Sequence, residues 1–154
     1  MATTTCTITL ASSDLLGDAL SLSHTMSLYQ GGTTATGLEE FRMERLKLPV
    51  DDYGGGTATQ FDLVEATTAA SEDANYFYCI NKNTDPTHYV IISIKDEVIG
   101  RLYAGDWMFI PWDSDVVAVG AGGSAIEAQA FVAEAHLEYC LFHNGETRVT
   151  SDDS

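Results

Sequence analysis

Wherever apolar residues recur with a period in this chain, the period is two, and that confines it to β-structure. Cys6 to Leu10 alternates threonine with apolar residues, and residues 20–28 set Leu20, Leu22, His24, Met26 and Leu28 on one side of an extended strand. Phe131 to Phe142 alternates over a longer span and reads as one closing strand. Phe131, Ala133, Ala135, Leu137, Tyr139 and Leu141 share one of its faces, and Glu134, His136 and Glu138 the other. Tyr76 to Asn81 and His88 to Ile94 are rich in aromatic and β-branched residues. The turn-forming link between them, Asn81 through Thr87, predicts a β-hairpin with a long loop.

Shorter segments complete the pattern. Val98 to Tyr103 and Trp107 to Trp112 flank Ala104-Gly105-Asp106, which predicts either a second hairpin or a strand–corner–strand. Gln60 to Ala66 and Val116 to Val119 read as strands. Residues 38–48 fit a helix through Leu38, Phe41 and Arg45, or a strand through Phe41, Met43 and Arg45, and the strand is preferred. Gly31-Gly32, residues 49–58, residues 67–73 and Gly120, Gly122 and Gly123 punctuate these runs. Roughly eight short strands at regular spacing predict an all-β fold, an antiparallel, jelly-roll-like β-sandwich. It is expected as a single domain over residues 1–143, with 1–7 as a candidate N-terminal arm and 144–154 as a polar tail.

A chain of 154 residues, 45% hydrophobic and 19% charged, is large enough to bury a core without staples. No apolar run approaches the roughly 20 residues of a membrane-spanning helix. The opening Met1-Ala2-Thr3-Thr4-Thr5-Cys6-Thr7 has neither the positive region nor the apolar core of a signal peptide. Synthesis in the cytosol, without secretion or a membrane anchor, is the expectation. The formal charge of −16 repels phosphate backbones and anionic lipids, so neither nucleic acid nor membrane is an expected direct partner. It favours solubility, and docking onto a basic or neutral protein surface. Cys6, Cys79 and Cys140 are far apart with no zinc-type spacing, and an odd number argues against a disulfide framework.

The constellations that could carry chemistry are weak. Glu134, His136 and Glu138 stand at alternate positions on one strand face, as metal ligands on β-sheets do, but such ladders usually hold two or more histidines. A solvated outer face explains them better. Asp113, Ser114 and Asp115, with Asp106 nearby, offer oxygens to calcium, yet lack an EF-hand loop and suit ordinary turns. Gly54-Gly55-Gly56-Thr57 has no phosphate-loop lysine. His24, His88, His136 and His143, with the cysteines and serines, form no nucleophile elbow or protease signature. No enzyme, cofactor or metal is therefore expected. Tyr76, Tyr78, Trp107 and Trp112 could stack on sugars, or lie in a core or subunit interface.

Three stretches together carry a resemblance. Thr7-Ile8-Thr9-Leu10-Ala11-Ser12-Ser13-Asp14, followed by Asp18-Ala19-Leu20-Ser21-Leu22-Ser23, resembles the opening of small β-sandwich virion proteins of tailed bacteriophages. Tyr76-Phe77-Tyr78-Cys79-Ile80-Asn81-Lys82-Asn83 is similar to their central strand. Ile99 through Pro111 is similar to their Leu, Gly-Glu-Phe, apolar-Pro segment, with Asp106 where that pattern often has Glu, and Leu137-Glu138-Tyr139 resembles the closing strand. The resemblance implies a head decoration or cement subunit of the virion. Such a subunit would self-associate, with a trimer among the options, and would bind the major capsid protein or another virion protein. The alternative is a neck, tail-fibre or host-facing carbohydrate-binding module. Trp107, Phe109 and Trp112, large aromatics beside a turn, are the candidate interface residues.

Overall fold

A computed structural model describes residues 4–13, 20–29, 38, 40–50, 61–64, 75–94, 97–112 and 126–143. Among them are ten strands: β1 (Thr4–Ser12), β2 (Leu20–Leu28), β3 (Glu40–Leu48), β4 (Phe61–Val64), β5 (Asn75–Asn81), β6 (Tyr89–Ile94), β7 (Glu97–Tyr103), β8 (Trp107–Trp112), β9 (Ile126–Phe131) and β10 (Ala135–His143). No helix is present among the described residues, and none is long and apolar enough to cross a membrane.

The fold is all-β, and eight of the strands make a sandwich. One sheet has the order β3-β10-β5-β8 and the other β4-β9-β6-β7. Pairing is nested and antiparallel throughout: β3 with β10, β4 with β9, β5 with β8, and β6 with β7. The chain from β3 to β10 is thus one long ribbon doubled on itself, whose successive rungs fall alternately in the two sheets. Two further pairings, β10 with β5 and β9 with β6, close the roll.

Period-two alternation builds the core between the sheets. Leu48, Phe77, Cys79, Ala135, Leu137 and Tyr139 project inward from one sheet, and Leu63, Val90, Ile92, Leu102, Ile126, Ala128 and Ala130 from the other. Phe77, Leu48, Ile92, Ile126 and Leu137 are the largest completely buried apolar side chains, each contributing about 1.5–3 kcal/mol by leaving water. Tyr139 enters this layer with its hydroxyl satisfied, since Oη donates to the Glu44 carboxylate on the paired strand.

Two sequence expectations are corrected by the topology. β5 and β6 are not a hairpin. They belong to opposite sheets, and residues 82–88 carry the chain across the end of the sandwich. Turn chemistry is the same for either route: Thr87 donates both its amide (2.9 Å) and its hydroxyl (2.7 Å) to Asp85 Oδ1, as in any tight Asx-type bend. The run from Phe131 to Phe142 is two strands in two sheets rather than one. The break falls at Val132, which adopts φ 74° and turns the chain from β9 into β10. β7, Tyr103–Asp106 and β8 do form the strand–corner–strand. The Asp106 amide closes that corner onto the Tyr103 carbonyl at 2.9 Å, with Gly105 at φ 85°. The strand reading of 38–48 holds as β3, whereas Val116–Val119 and the tail lie outside the described residues.

β1 and β2 form a two-stranded sheet of their own, with Leu28 at the end of β2 buried. They pair with each other over their full nine-residue lengths, from Thr4 opposite Leu28 to Ser12 opposite Leu20. No other described strand packs against either of them in more than passing contact.

Candidate interaction surface

β10, central in its sheet, sorts its side chains strictly by parity. Ala135, Leu137, Tyr139 and Leu141 pack inward, so His136, Glu138, Cys140 and Phe142 face outward. The registers of β3, β5 and β8 then place Met43, Arg45 and Lys47, Tyr76, Tyr78 and Ile80, and Trp107 and Phe109 on the same outer face. Strand β5 puts Phe77, Cys79 and Asn81 inside and its two tyrosines outside.

One half of this face is aromatic. Tyr76 and Phe109 stack almost parallel, with centroids 5.4 Å apart and planes 4° apart, and Phe142 meets Phe109 edge-on at 6.3 Å. Tyr78 leans on Trp107 at 6.3 Å. Offset and edge-on contacts of this kind add about 0.5–1.5 kcal/mol per pair beyond area burial. They also hold the rings in place as a preformed surface. Cys140 lies among these rings only 3% exposed, although it is on the outer face. Trp107 stays 50% exposed and Met43 56%, so large apolar groups of the strip still meet water. β8 ends its sheet among the described residues, and Pro111 there carries no amide donor.

The other half is charged but locally balanced. Three of the chain's seven Lys and Arg gather here: Arg45, Lys47 and Lys82. Arg45 Nε donates to Glu138 at 2.6 Å, and Lys47 pairs with Glu134 at 2.7 Å. Between them is a wide, open depression of about 470 Å³, lined by Arg45, Leu46, Lys47, Lys82, His136, Leu137 and Glu138. Burial, together with the charges of Glu138 and Cys79, raises the Tyr78 phenol above its ordinary pKa. Burial raises the Cys140 thiol and pushes the Cys79 thiol up to about 12, so neither is a ready nucleophile.

The candidate residues from the sequence distribute as follows. Trp107 and Phe109 share this outer face, with Tyr76 and Tyr78 beside them. Trp112 ends β8 opposite Asn75, and its side chain is outside the described residues. The carboxylates of Glu134 and Glu138, which would have joined His136 around a metal, engage Lys47 and Arg45 instead. No metal-type cluster of His, Cys, Asp or Glu occurs among the described residues. Asp106 Oδ2 accepts the Tyr103 amide at 3.0 Å, while Asp113, Ser114, Asp115 and Gly54–Gly56 lie outside the described residues. Met43 and Phe142 were missed as surface residues, because whether a strand's alternate face is inside or outside is set by its neighbours. No protein-family model matches the chain, and no curated protein matches it.

Proposed function

We propose that the chain is a non-enzymatic structural subunit of a tailed-phage particle. In this reading it is a head decoration or cement protein that seats on the assembled capsid through the outer face of β3-β10-β5-β8. The observation that carries the reading is the preformed aromatic strip, with Trp107 and Met43 half exposed beside a charge-balanced patch on a chain of net charge −16. Aromatic anchors within a polar rim are what protein interfaces use, and buried aromatics contribute most to their affinity. Elsewhere the acidic exterior keeps the subunit soluble and repels packaged nucleic acid.

The nested strand pairing supports the finer reading of the sandwich as a jelly roll, an architecture found in viral capsid and lectin domains. A subunit that binds the assembled lattice better than separated capsid subunits stabilises the shell by mass action, with no chemical step. The expected partner is the major capsid protein, and the site of synthesis is the host cytoplasm.

One observation favours a second reading. The exposed Trp107 ring beside Tyr78 is also a platform on which a sugar ring can stack, as in a host-facing carbohydrate-binding module. Co-sedimentation separates the two. Saturable binding to assembled shells lacking the protein, but not to free capsid subunits, supports the cement role. Absence of shell binding together with a glycan-array signal transfers the strip to sugar recognition.

A further inference from the structure

The registers rule the outer face of β3-β10-β5-β8 into cross-strand rows. One row runs Trp107, Ile80, Glu138, Arg45, since Ile80 lies opposite both Trp107 and Glu138, and Glu138 opposite Arg45. The next row, toward the end of the sandwich, is Lys82, His136 and Lys47. His136 lies opposite Lys47, and the Lys82 amide donates to the His136 carbonyl at 2.8 Å. Every side chain of that row is basic, in a chain with only seven Lys and Arg and a net charge of −16. All three residues are exposed, and the segments around them, 45–50, 80–88 and 132–138, are described throughout.

Like charges on neighbouring strands repel, so a basic row costs folding free energy that nothing within the row returns. The sheet meets part of the excess: Arg45 pairs with Glu138 at 2.6 Å, and Lys47 with Glu134 at 2.7 Å. Lys82 is left over. Neither its ammonium nor the His136 imidazole has a hydrogen-bond or ion-pair partner among the described residues. The row lines the open depression of about 470 Å³, which Arg45 and Glu138 also line.

We infer that this row captures a carboxylate from an acidic stretch of a protein partner, beside the apolar contact the partner makes with Trp107. The inference rests on the reading of this outer face as a protein-docking surface, but not on which protein docks. Charge complementarity picks the occupant. One uncompensated ammonium matches one carboxylate. Lys47 and Lys82 stand on either side of His136, two strand spacings or about 10 Å apart, and their flexible stems can close on a single anion from both sides. A phosphate would bring roughly two negative charges to a site that Glu134 and Glu138 flank. Two residues of extended chain advance about 6.7 Å, which is also the step from this row to the Trp107 row. A partner segment lying along β10 therefore sets an acid on the basic row and an apolar side chain, two residues away, on Ile80 and Trp107. The chain's overall acidity favours a basic partner; this row reverses the preference locally and so fixes the register in which the partner sits.

The test is an amide NMR titration of the full chain with the end-blocked peptide Thr-Glu-Thr-Leu-Thr, its Lys-for-Glu counterpart, and inorganic phosphate. An ionic strength of about 0.15 M, with a screening length of about 8 Å, mutes the net charge of the chain and leaves the local row to decide. Saturable shifts confined to residues 45–47, 80–82 and 136–138 are expected with the Glu peptide, and none with the Lys peptide. Lys82→Gln is expected to weaken that binding about two- to fivefold, the worth of one exposed ion pair. Arg101→Gln, an equal change of net charge on the other sheet, should leave it unchanged. No saturable shift by about 10 mM Glu peptide, weaker than any useful contact, overturns the inference. So do equal shifts with the Lys peptide, equal binding by Lys82→Gln and wild type, or the same shifts with phosphate, which would show an adventitious ion only. Because no shell enters this titration, its failure is distinct from failure of the capsid reading.

Discussion

The side-chain amide of Asn81 donates to the carbonyl of Leu102 at 3.0 Å, completely buried, and ties together the two places where the chain crosses between sheets. The same Nδ2 also reaches the His88 carbonyl at 3.4 Å, and Oδ1 accepts the Asn83 amide at 3.0 Å. The backbone joins in: the Asn81 amide donates to Asp106, and the Gly105 amide donates to Asn81. One residue therefore fixes the ends of β5, β6, β7 and β8.

Replacement of Asn81 should consequently be costly. Asn81→Ala leaves the Leu102 carbonyl and the Asn83 amide without their partner, at about 1–3 kcal/mol for a buried unsatisfied group. Asn81→Asp should cost more, because a buried carboxylate facing the Leu102 carbonyl has no proton to donate. Chemical denaturation of the two variants, ranked against wild type, checks both values and their order.

Val132 offers a gain in stability. A β-branched residue at φ 74° is held in a region that disfavours L side chains by about 1–3 kcal/mol. Being 62% exposed, it gives up little packing on replacement. Val132→Gly is expected to stabilise the fold by about 1 kcal/mol after the entropy of glycine in the unfolded chain is deducted. A higher melting temperature would show it.

Cys79 sets an alkaline limit. Its thiol is held up to about 12 in the folded state by burial, against 9.0 for an ordinary thiol. The unfolded chain therefore releases this proton first as pH rises. The associated stability is complete below pH 9 and declines toward pH 12, by on the order of 4 kcal/mol at 1.36 kcal/mol per unit. Cys79→Ala should flatten this decline relative to wild type when denaturation midpoints are compared at pH 8 and pH 10.5.

The ion pairs on the outer face should matter little for stability. The Arg45 side chain is 81% exposed in its pair with Glu138. Arg45→Ala is expected to cost less than about 1 kcal/mol. His136→Ala should likewise be near neutral, with the same melting temperature in zinc and in chelator, since its neighbouring carboxylates engage Lys47 and Arg45.

The sandwich was legible because alternation is a local signal. Leu137, Tyr139 and Leu141, or Leu20, Leu22 and Met26, declare a face without reference to anything else. What the face meets is not local. The same alternation puts Leu137 in the core and leaves Leu22 in water. Asn81 to Thr87 reads as a hairpin loop because turn residues bend a chain equally well within a sheet or between two. The break at Val132 had no signal at all, since glycine or asparagine is the residue expected at positive φ. Trp107 and Phe109 stand out in the sequence as large aromatics beside a turn, and Tyr76 as an aromatic of a strand-like run, whereas Phe142 and Met43 join them only through strand order.

The central claim is that the aromatic outer face of β3-β10-β5-β8 is the docking surface. Its most direct test is co-sedimentation of wild-type protein and of Trp107→Ser with Met43→Ser on assembled shells. Both positions are already about half exposed, so the fold should survive the change, and a thermal melt verifies that. Saturable binding by the wild type and at least about tenfold weaker binding by the variant is the expected result. Equal binding of both proteins to the shells would contradict the account.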